Sequence, residues 1–210
     1  MDGDYARERR LMTESQILAR GVRDPIVLAA MAKVPRHLFV PEGLRIHAYA
    51  DEPLPIGEGQ TISQPYIVAY MTEALGLEGG EKVLEVGTGS GYQTAVLAEI
   101  AGEVWTIEIV EALALRARAI LDGLGYSNVR YSVRDGSEGW PGEAPFDGII
   151  VTAAAPRMPA VLEGQLAEGG RMIVPVGTDI QELFLVRRVP KGFKRERLFG
   201  VRFVPLVKAS

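Results

Sequence analysis

Residues 83–92 read Val83-Leu84-Glu85-Val86-Gly87-Thr88-Gly89-Ser90-Gly91-Tyr92, an apolar run that leads into a glycine-rich turn and then into a helical segment. Glycines let the backbone approach a ligand closely, and the N-terminus of the following helix offers unpaired N–H groups. A dinucleotide fingerprint needs G-x-G-x-x-G, but the spacing here is G-x-G-x-G and Tyr92 stands where the third glycine would be. The turn therefore favours a nucleoside ligand without a pyrophosphate.

The sequence on either side of this turn alternates between short apolar runs and helical stretches, which is the pattern of a parallel sheet with crossover helices. It predicts a doubly wound α/β core over residues 79–210, with strands at 82–86, 104–109, 129–133, 146–152 and 171–176 and helices near 91–101, 110–124 and 156–167. Residues 182–189 and 198–206 are β-like, and the link at 190–194 is too short for a crossover helix. We expect the sheet to end in an antiparallel hairpin.

Residues 1–78 are predicted to form a helical preface to this core, followed by a loop that reaches the ligand. Asp24-Pro25 is typical of a helix N-cap followed by proline at the first helical position. With 210 residues, 47% of them hydrophobic, the chain suits a single domain over 1–210. No apolar run approaches the roughly 20 residues that a membrane span needs.

Composition narrows the chemistry and the partners. The chain has no cysteine and two histidines, so thiolate catalysis is excluded and no metal site is expected. The formal net charge of −4 does not favour nucleic acid, and the basic residues between Arg187 and Lys208 are interpreted as a solvated hairpin face, although such a run could meet phosphates or acidic peptides. We expect a monomeric cytoplasmic protein with neither nucleic acid nor membrane as partner.

Two further acids follow predicted strands. Glu108 ends the second strand of the core, where a carboxylate can accept two hydrogen bonds from a ribose diol. Asp135 follows the third strand, where it could meet the amino group of an adenine. Either acid alone would be interpreted as a solvated loop residue. Their placement beside the glycine turn, at one edge of the sheet, favours a shared adenosine site.

Seven further blocks of sequence extend over most of the chain. They are Val34-Pro35-Arg36-His37-Leu38-Phe39-Val40-Pro41, Ala50-Asp51-Glu52-Pro53-Leu54-Pro55-Ile56-Gly57, Gln60-Thr61-Ile62-Ser63-Gln64-Pro65, Gly139-Trp140-Pro141, Ala144-Pro145-Phe146-Asp147, Thr152-Ala153-Ala154-Ala155-Pro156 and Gly169-Gly170-Arg171. These blocks resemble the protein L-isoaspartyl O-methyltransferase family. General methyltransferases lack the pair of blocks at 50–57 and 60–65.

The resemblance implies a Rossmann-like methyltransferase fold, S-adenosylmethionine as the cofactor, and isoaspartyl proteins and peptides as substrates. It places the methionine part of the cofactor at the glycine turn, the ribose at Glu108 and the adenine at Asp135. It gives a catalytic and substrate-binding position to Ser63. The cofactor residues that it implies are Gln60, Thr61, Ile62, Glu85, Gly87, Thr88, Gly89, Gly91, Glu108, Asp135 and Gly136, and the substrate residues are Ser63, Val176, Gly177 and Gln181.

The local sequence around Ser63 allows two interpretations. Ser-Gln-Pro ahead of Ile67, Val68 and Met71 is a good helix N-cap, whereas the resemblance implies a hydroxyl that orients the substrate. The expected acceptor is an α-carboxylate with a pKa near ~3.5, which is ionised at neutral pH and needs no strong general base. Two alternatives to this function are a methyltransferase for a small molecule or RNA, and a cofactor-binding module without turnover.

Overall fold

The computed structural model describes residues 2–208, and its N-terminal part is a layer of short helices. Helix α1 (Asp2–Leu11) continues through a π-helical turn (Met12–Ile17) and a 3-10 turn (Leu18–Arg20). Helix α2 (Pro25–Lys33) begins as predicted, with Asp24 at the N-cap accepting a hydrogen bond from the backbone N–H of Ile26 at 2.8 Å. Two further 3-10 segments follow, Arg36–Phe39 and Glu42–His47.

The predicted loop of this N-terminal part contains a short hairpin that the sequence did not indicate. Strands β1 (Leu54–Gly57) and β2 (Gln60–Ile62) form a two-stranded antiparallel hairpin. The side chains of β1 alternate between buried and exposed, which is the period of a strand, but its four residues are too few to show that pattern in the sequence. Helix α3 (Pro65–Leu75) follows the hairpin directly and packs against the core sheet.

A seven-stranded sheet forms the core, with the strand order β5-β4-β3-β6-β7-β8-β9. Strands β3 to β7 are parallel, and β8 and β9 run antiparallel to their neighbours. The α/β prediction is therefore confirmed. The strands are β3 (Lys82–Val86), β4 (Glu103–Glu108), β5 (Val129–Val133), β6 (Phe146–Val151), β7 (Leu166–Val176), β8 (Gln181–Val189) and β9 (Gly192–Val201).

Helices cover both faces of this sheet, and two of the three core helices lie near their predicted positions. They are α4 (Tyr92–Ala98) and α5 (Glu111–Gly123). The third prediction was wrong, since α6 (Ala160–Glu163) has only 4 residues instead of spanning 156–167. Pro156 and Pro159 lack the N–H that a helix interior requires, and β7 already begins at Leu166.

The C-terminal hairpin is present, but its second strand lies earlier than predicted. Strand β9 begins at Gly192, after a two-residue turn of Pro190 and Lys191, and it ends at Val201 rather than near residue 206. The chain then leaves the hairpin and crosses the carboxyl edge of the sheet. There Ala154 donates its N–H to Val204 O and accepts one from the N–H of Leu206, both at 2.9 Å or less.

The sheet order creates a crevice. Strand β3 lies in the middle, and the chain proceeds from it to β4 on one side and, later, to β6 on the other. Ligands of open α/β sheets bind at such a switch point, outside the carboxyl ends of the strands. The cofactor residues predicted within the core lie at the ends of β3, β4 and β5, at this edge. Within residues 2–208, no helix has the length and apolar character required to cross a membrane.

Candidate functional site

A cleft of about 770 Å³, including its open mouth, lies at this carboxyl edge and is called the cofactor cleft. Its walls come from the glycine turn, the ends of β4 and β6, the residues after β2 and the C-terminal segment. Among its lining residues are Gln60, Thr61, Ile62, Ser63, Gly87, Thr88, Gly89, Glu108, Gly136 and Thr152. Most of the residues that the resemblance implies for the cofactor are thus brought together.

Backbone hydrogen bonds hold the glycine turn against β4. The N–H groups of Gly87 and Thr88 both donate to Ile107 O, at 2.8 and 3.2 Å. Gly91 ends the turn with a φ of 86°, and a Cβ there would lie 3.1 Å from the Cβ of Ala117 in α5. Gly91 therefore allows α4 to pack closely on α5 instead of lining the cleft, whereas Thr88 and Gly89 form its wall.

Glu108 is held rigidly at the end of β4 and is 7% exposed. Its Oε2 accepts the N–H of Gly89 at 2.8 Å, and its Oε1 accepts the N–H groups of Ile109 and Val110 at 2.9 Å. An ionised carboxylate offers about four acceptor positions, so these three bonds leave capacity for a hydroxyl donor. The carboxylate lines the cofactor cleft.

Glu85 lies beneath the turn rather than on the cleft wall and is 0% exposed. Its Oε2 accepts hydrogen bonds from Thr94 Oγ1 at 2.5 Å and from Thr106 Oγ1 at 2.6 Å. Thr106 Oγ1 in turn lies 2.6 Å from Thr88 Oγ1, which reaches the cleft. Burial raises the pKa of Glu85 from 4.5 to about 8, although the two threonine hydrogen bonds oppose that rise. Glu85 supports the turn from below through hydroxyl groups.

The third strand end supplies a backbone wall. Asp135 begins a short 3-10 turn, Gly136–Glu138, and its Oδ1 accepts the N–H of Ser137 at 2.8 Å. Gly136 lines the cleft beside β3, and a Cβ there would lie 2.6 Å from Val86 Cγ1. Asp135 thus fixes the turn that presents Gly136.

A second cleft of about 1440 Å³, including its mouth, opens beside the first and is called the acceptor groove. It runs between the start of α3 and the end of β9. Four residues line both clefts, and we call them the junction residues: Thr61, Ser63, Thr152 and Val204. A group bound in the groove can approach a group bound in the cofactor cleft only at this junction, and Ser63 lies there.

Ser63 is not the cap of α3. The N-cap is Gln64, which makes no capping side-chain bond, and Pro65 occupies the first position of the helix. The Gln64 side chain instead donates from Nε2 to Asp51 O at 3.0 Å. The interpretation of Ser63 as a helix cap is therefore wrong, and its hydroxyl is available to the two clefts.

Not all of the predicted substrate residues lie at the acceptor groove. Gln181 lines the acceptor groove, and its side-chain amide binds both the N–H and the C=O of Phe203. Val176 and Gly177 pair with Ala155 at the end of β7 and line neither cleft. Residues 204–207 line the cofactor cleft without having been predicted. The apolar character of this run predicts a strand, so the sequence gives no separate sign that it lines a cleft.

Comparisons with known proteins agree with this geometry. The family model of protein-L-isoaspartate(D-aspartate) O-methyltransferase (PCMT) matches residues 7–210. Protein-L-isoaspartate O-methyltransferase 1 of Syntrophobacter fumaroxidans is 57% identical over 205 residues, which cover 97% of this chain and 96% of the relative. The enzyme of the same name from Rhodopseudomonas palustris is also 57% identical, with 97% and 84% covered.

The chain belongs to the protein-L-isoaspartate(D-aspartate) O-methyltransferase family.

Solved structures of this family share the fold. One protein-L-isoaspartate O-methyltransferase superimposes with a TM-score of 0.83 at 29% identity, covering 93% of this chain and 65% of the other. A candidate enzyme of the family from Plasmodium falciparum, in complex with S-adenosyl-L-homocysteine, gives a TM-score of 0.81 at 27% identity and covers 96% and 99%. The family resemblance and the S-adenosylmethionine dependence that it implied are confirmed.

Proposed function

We propose that the chain is a protein-repair enzyme that transfers a methyl group from S-adenosylmethionine to the free α-carboxylate of L-isoaspartyl residues. The observation that carries the proposal is the position of Ser63 at the junction of the cofactor cleft and the acceptor groove. Membership in the protein-L-isoaspartate O-methyltransferase family supplies the reaction. The geometry of the clefts assigns roles to individual residues.

The residues of the cofactor cleft fit the proposed cofactor. Glu108 offers a preorganised carboxylate for a ribose diol, and Thr88 and Gly89 allow close approach to the backbone. Gly136 provides a flat wall for the adenine ring, and Asp135 holds that wall. When bound, S-adenosylmethionine supplies an electrophilic methyl group on a sulfonium. The protein then has to position an acceptor, because an ionised carboxylate is already nucleophilic.

Ser63 orients that acceptor in the proposed mechanism. Its hydroxyl donates a hydrogen bond to one oxygen of the substrate carboxylate, and the other oxygen is then aligned for transfer. The neighbouring Ile62 is buried and lines the cofactor cleft. Opposite charges neutralise each other as the methyl moves, so a site of low dielectric favours the transfer. No proton has to be removed by the enzyme.

The remaining predictions about partners are kept in this proposal. Arg195 of the C-terminal hairpin is paired with the buried Glu163 at 2.6 Å, and Arg197 with Glu182 at 3.0 Å. These pairs weaken the positive potential of the basic run and support the view that nucleic acid is not a partner. A monomeric state and a cytoplasmic location stay predictions from the composition.

The test compares methyl transfer to two peptides that differ only in an isoaspartyl or a normal aspartyl residue. We expect transfer to the isoaspartyl peptide alone, with rates that fall from wild type to Ser63→Ala to Ser63→Asp. The aspartate places a negative charge against the substrate carboxylate, where repulsion is poorly screened. Ser15→Ala, which removes an exposed hydroxyl in the N-terminal helical layer, serves as the control and should keep the wild-type rate.

Two results would contradict the proposal. Transfer to RNA or to a small carboxylic acid, with none to the isoaspartyl peptide, would assign the groove to another acceptor. Cofactor binding without any transfer would make the chain a binding module. A Ser63→Asp variant as active as wild type would remove Ser63 from the mechanism while leaving the reaction intact.

A further inference from the structure

Thr152 is a junction residue to which the family resemblance gave no role. It follows β6 directly and lines both the cofactor cleft and the acceptor groove. Its hydroxyl is directed at the glycine turn: Oγ1 lies 2.5 Å from Gly87 O and 3.0 Å from Val86 O as a donor. The backbone N–H of Thr152 also donates to Val86 O, at 2.9 Å. The residue thus clamps the start of the turn.

The backbone N–H and C=O of Gly87 are held by different kinds of hydrogen bond. On one side, its N–H donates to Ile107 O at 2.8 Å, a backbone bond that almost any residue could make. On the other side, the carbonyl accepts a hydrogen bond from the Thr152 side chain. The sequence therefore controls the position of the turn through Thr152, because only a residue with a short hydroxyl side chain provides this contact.

The contact also depends on glycine at the other end. Gly87 has a φ of 100°, and a Cβ there would lie 2.3 Å from Thr152 Oγ1. Such a distance excludes a side chain, so Gly87 and Thr152 form a complementary pair. The residues that follow Gly87 form the wall of the cofactor cleft, and Gly89 is bonded to Glu108. A shift at Gly87 would therefore move the surface against which the cofactor rests.

We infer that Thr152 is a positioning residue, whose hydroxyl fixes the glycine turn so that the methyl donor and the acceptor carboxylate are aligned at the junction. The same loop also holds the C-terminal segment, which lines the cofactor cleft, through the backbone of Ala154. In this role Thr152 acts through Gly87. The inference rests on the proposed function, since it concerns the alignment of the two reactants.

Four variants test the inference. Thr152→Val keeps the shape and removes the hydroxyl, Thr152→Ala removes both hydroxyl and methyl, and Thr152→Ser keeps the hydroxyl alone. Thr13→Val is the matched control, because it removes a buried hydroxyl that donates to Arg9 O at 3.0 Å in the N-terminal layer. The readouts are kcat at saturating cofactor and peptide, KM for each, and the Kd of S-adenosylhomocysteine by calorimetry.

We expect kcat to fall roughly 10-fold or more in Thr152→Val and Thr152→Ala, since small misplacements of reacting groups carry large rate penalties. Thr152→Ser should recover most of that loss. Thr13→Val should lower the melting temperature while keeping kcat, which separates positioning from a general loss of stability. If Thr152→Val proves too unstable to purify, the comparison of alanine with serine carries the same test.

A kcat within twofold of wild type for Thr152→Val and Thr152→Ala would overturn the inference. A kcat of Thr152→Ser as low as that of Thr152→Val would also overturn it. The calorimetric arm keeps this outcome distinct from failure of the proposed function. If the wild type methylates no isoaspartyl peptide, the proposed function fails. In that case, the Kd of S-adenosylhomocysteine still tests whether Thr152 holds the glycine turn. Weaker binding to Thr152→Val and Thr152→Ala, but not to Thr152→Ser, would support this role, and equal binding to all three variants would refute it.

Discussion

Glu85→Gln is predicted to change how the stability of the protein depends on pH. Glu85 is fully buried beneath the glycine turn, and its Oε2 accepts two threonine hydroxyls. Its Oε1 has no hydrogen-bond partner within residues 2–208. An ionised carboxylate in that environment would be poorly compensated, which is why burial raises the pKa of Glu85 to about 8. Nearby Glu108 raises the pKa further, as a second negative charge.

The sign of the effect follows from the two protonation states. Glu85 in the unfolded chain loses its proton near the ordinary pKa of 4.5, whereas in the folded protein it keeps the proton up to about 8. Between these values the folded state binds more protons, so the contribution of Glu85 to stability decreases as pH rises, by about 1.4 kcal/mol per pH unit. Over the interval from about pH 5 to 7 the loss is roughly 2 to 3 kcal/mol.

Glutamine mimics the protonated acid, because its carbonyl oxygen can accept both threonine bonds, and it does not titrate. The assay is urea unfolding of wild type and Glu85→Gln without cofactor at several pH values, followed by the fluorescence of Trp105 and Trp140. The free energy of unfolding of wild type minus that of the variant should decrease steadily with pH. Glu111→Gln, an exposed control at the start of α5, should give a flat difference. A flat or rising difference for Glu85→Gln would refute the reasoning.

Three further outcomes concern ligand binding. Glu108→Gln should weaken cofactor binding in calorimetry by roughly 1.5–3 kcal/mol, about 10- to 150-fold, because it removes a charged acceptor of hydrogen bonds. Equal affinity of the variant and the wild type would exclude Glu108 as a ribose ligand. Asp135→Ala should weaken cofactor binding by roughly 1 kcal/mol, the cost of a lost cap. Asp135→Asn should weaken it less, because asparagine can still accept the Ser137 N–H. The reverse order would contradict the role of Asp135 as the cap of this turn. NAD should show no saturable binding in the same titration, since Tyr92 replaces the third glycine of a dinucleotide turn.

The parts of the site that were predictable from sequence are those built from continuous segments. The run from Val83 to Tyr92 places a strand, a turn and a helix in order, and the parallel sheet then fixes where Glu108 must lie. The carboxyl ends of parallel strands share one edge, so a strand-by-strand interpretation brings Gly87, Thr88, Gly89, Glu108 and Gly136 to one cleft. Glu85 was less predictable. Its complete burial depends on side chains from two other elements, Thr94 of α4 and Thr106 of β4.

The parts that were not predictable depend on contacts between distant segments. Strand β1 has four residues and is recognised only by its pairing with β2. The apolar run at 203–207 has the composition of a strand. In the structure β9 has already ended, and the run pairs with Ala154 at the edge of the sheet. For Ser63, the local preference for a cap competed with the geometry of Pro65, which moved the cap to Gln64.

The two sides of the junction are built from different kinds of structure, and this bears on how the site can change. The cofactor side consists of backbone groups and acids at the ends of the central parallel strands, where the register is fixed on both sides. The acceptor side comes mainly from the start of α3 and the end of β9, which lie outside the parallel strands. Substitutions at groove residues that do not line the cofactor cleft, such as Tyr66 and Phe199, can alter the acceptor without disturbing that cleft. Thr152 belongs to both sides, so a change there should affect donor and acceptor together.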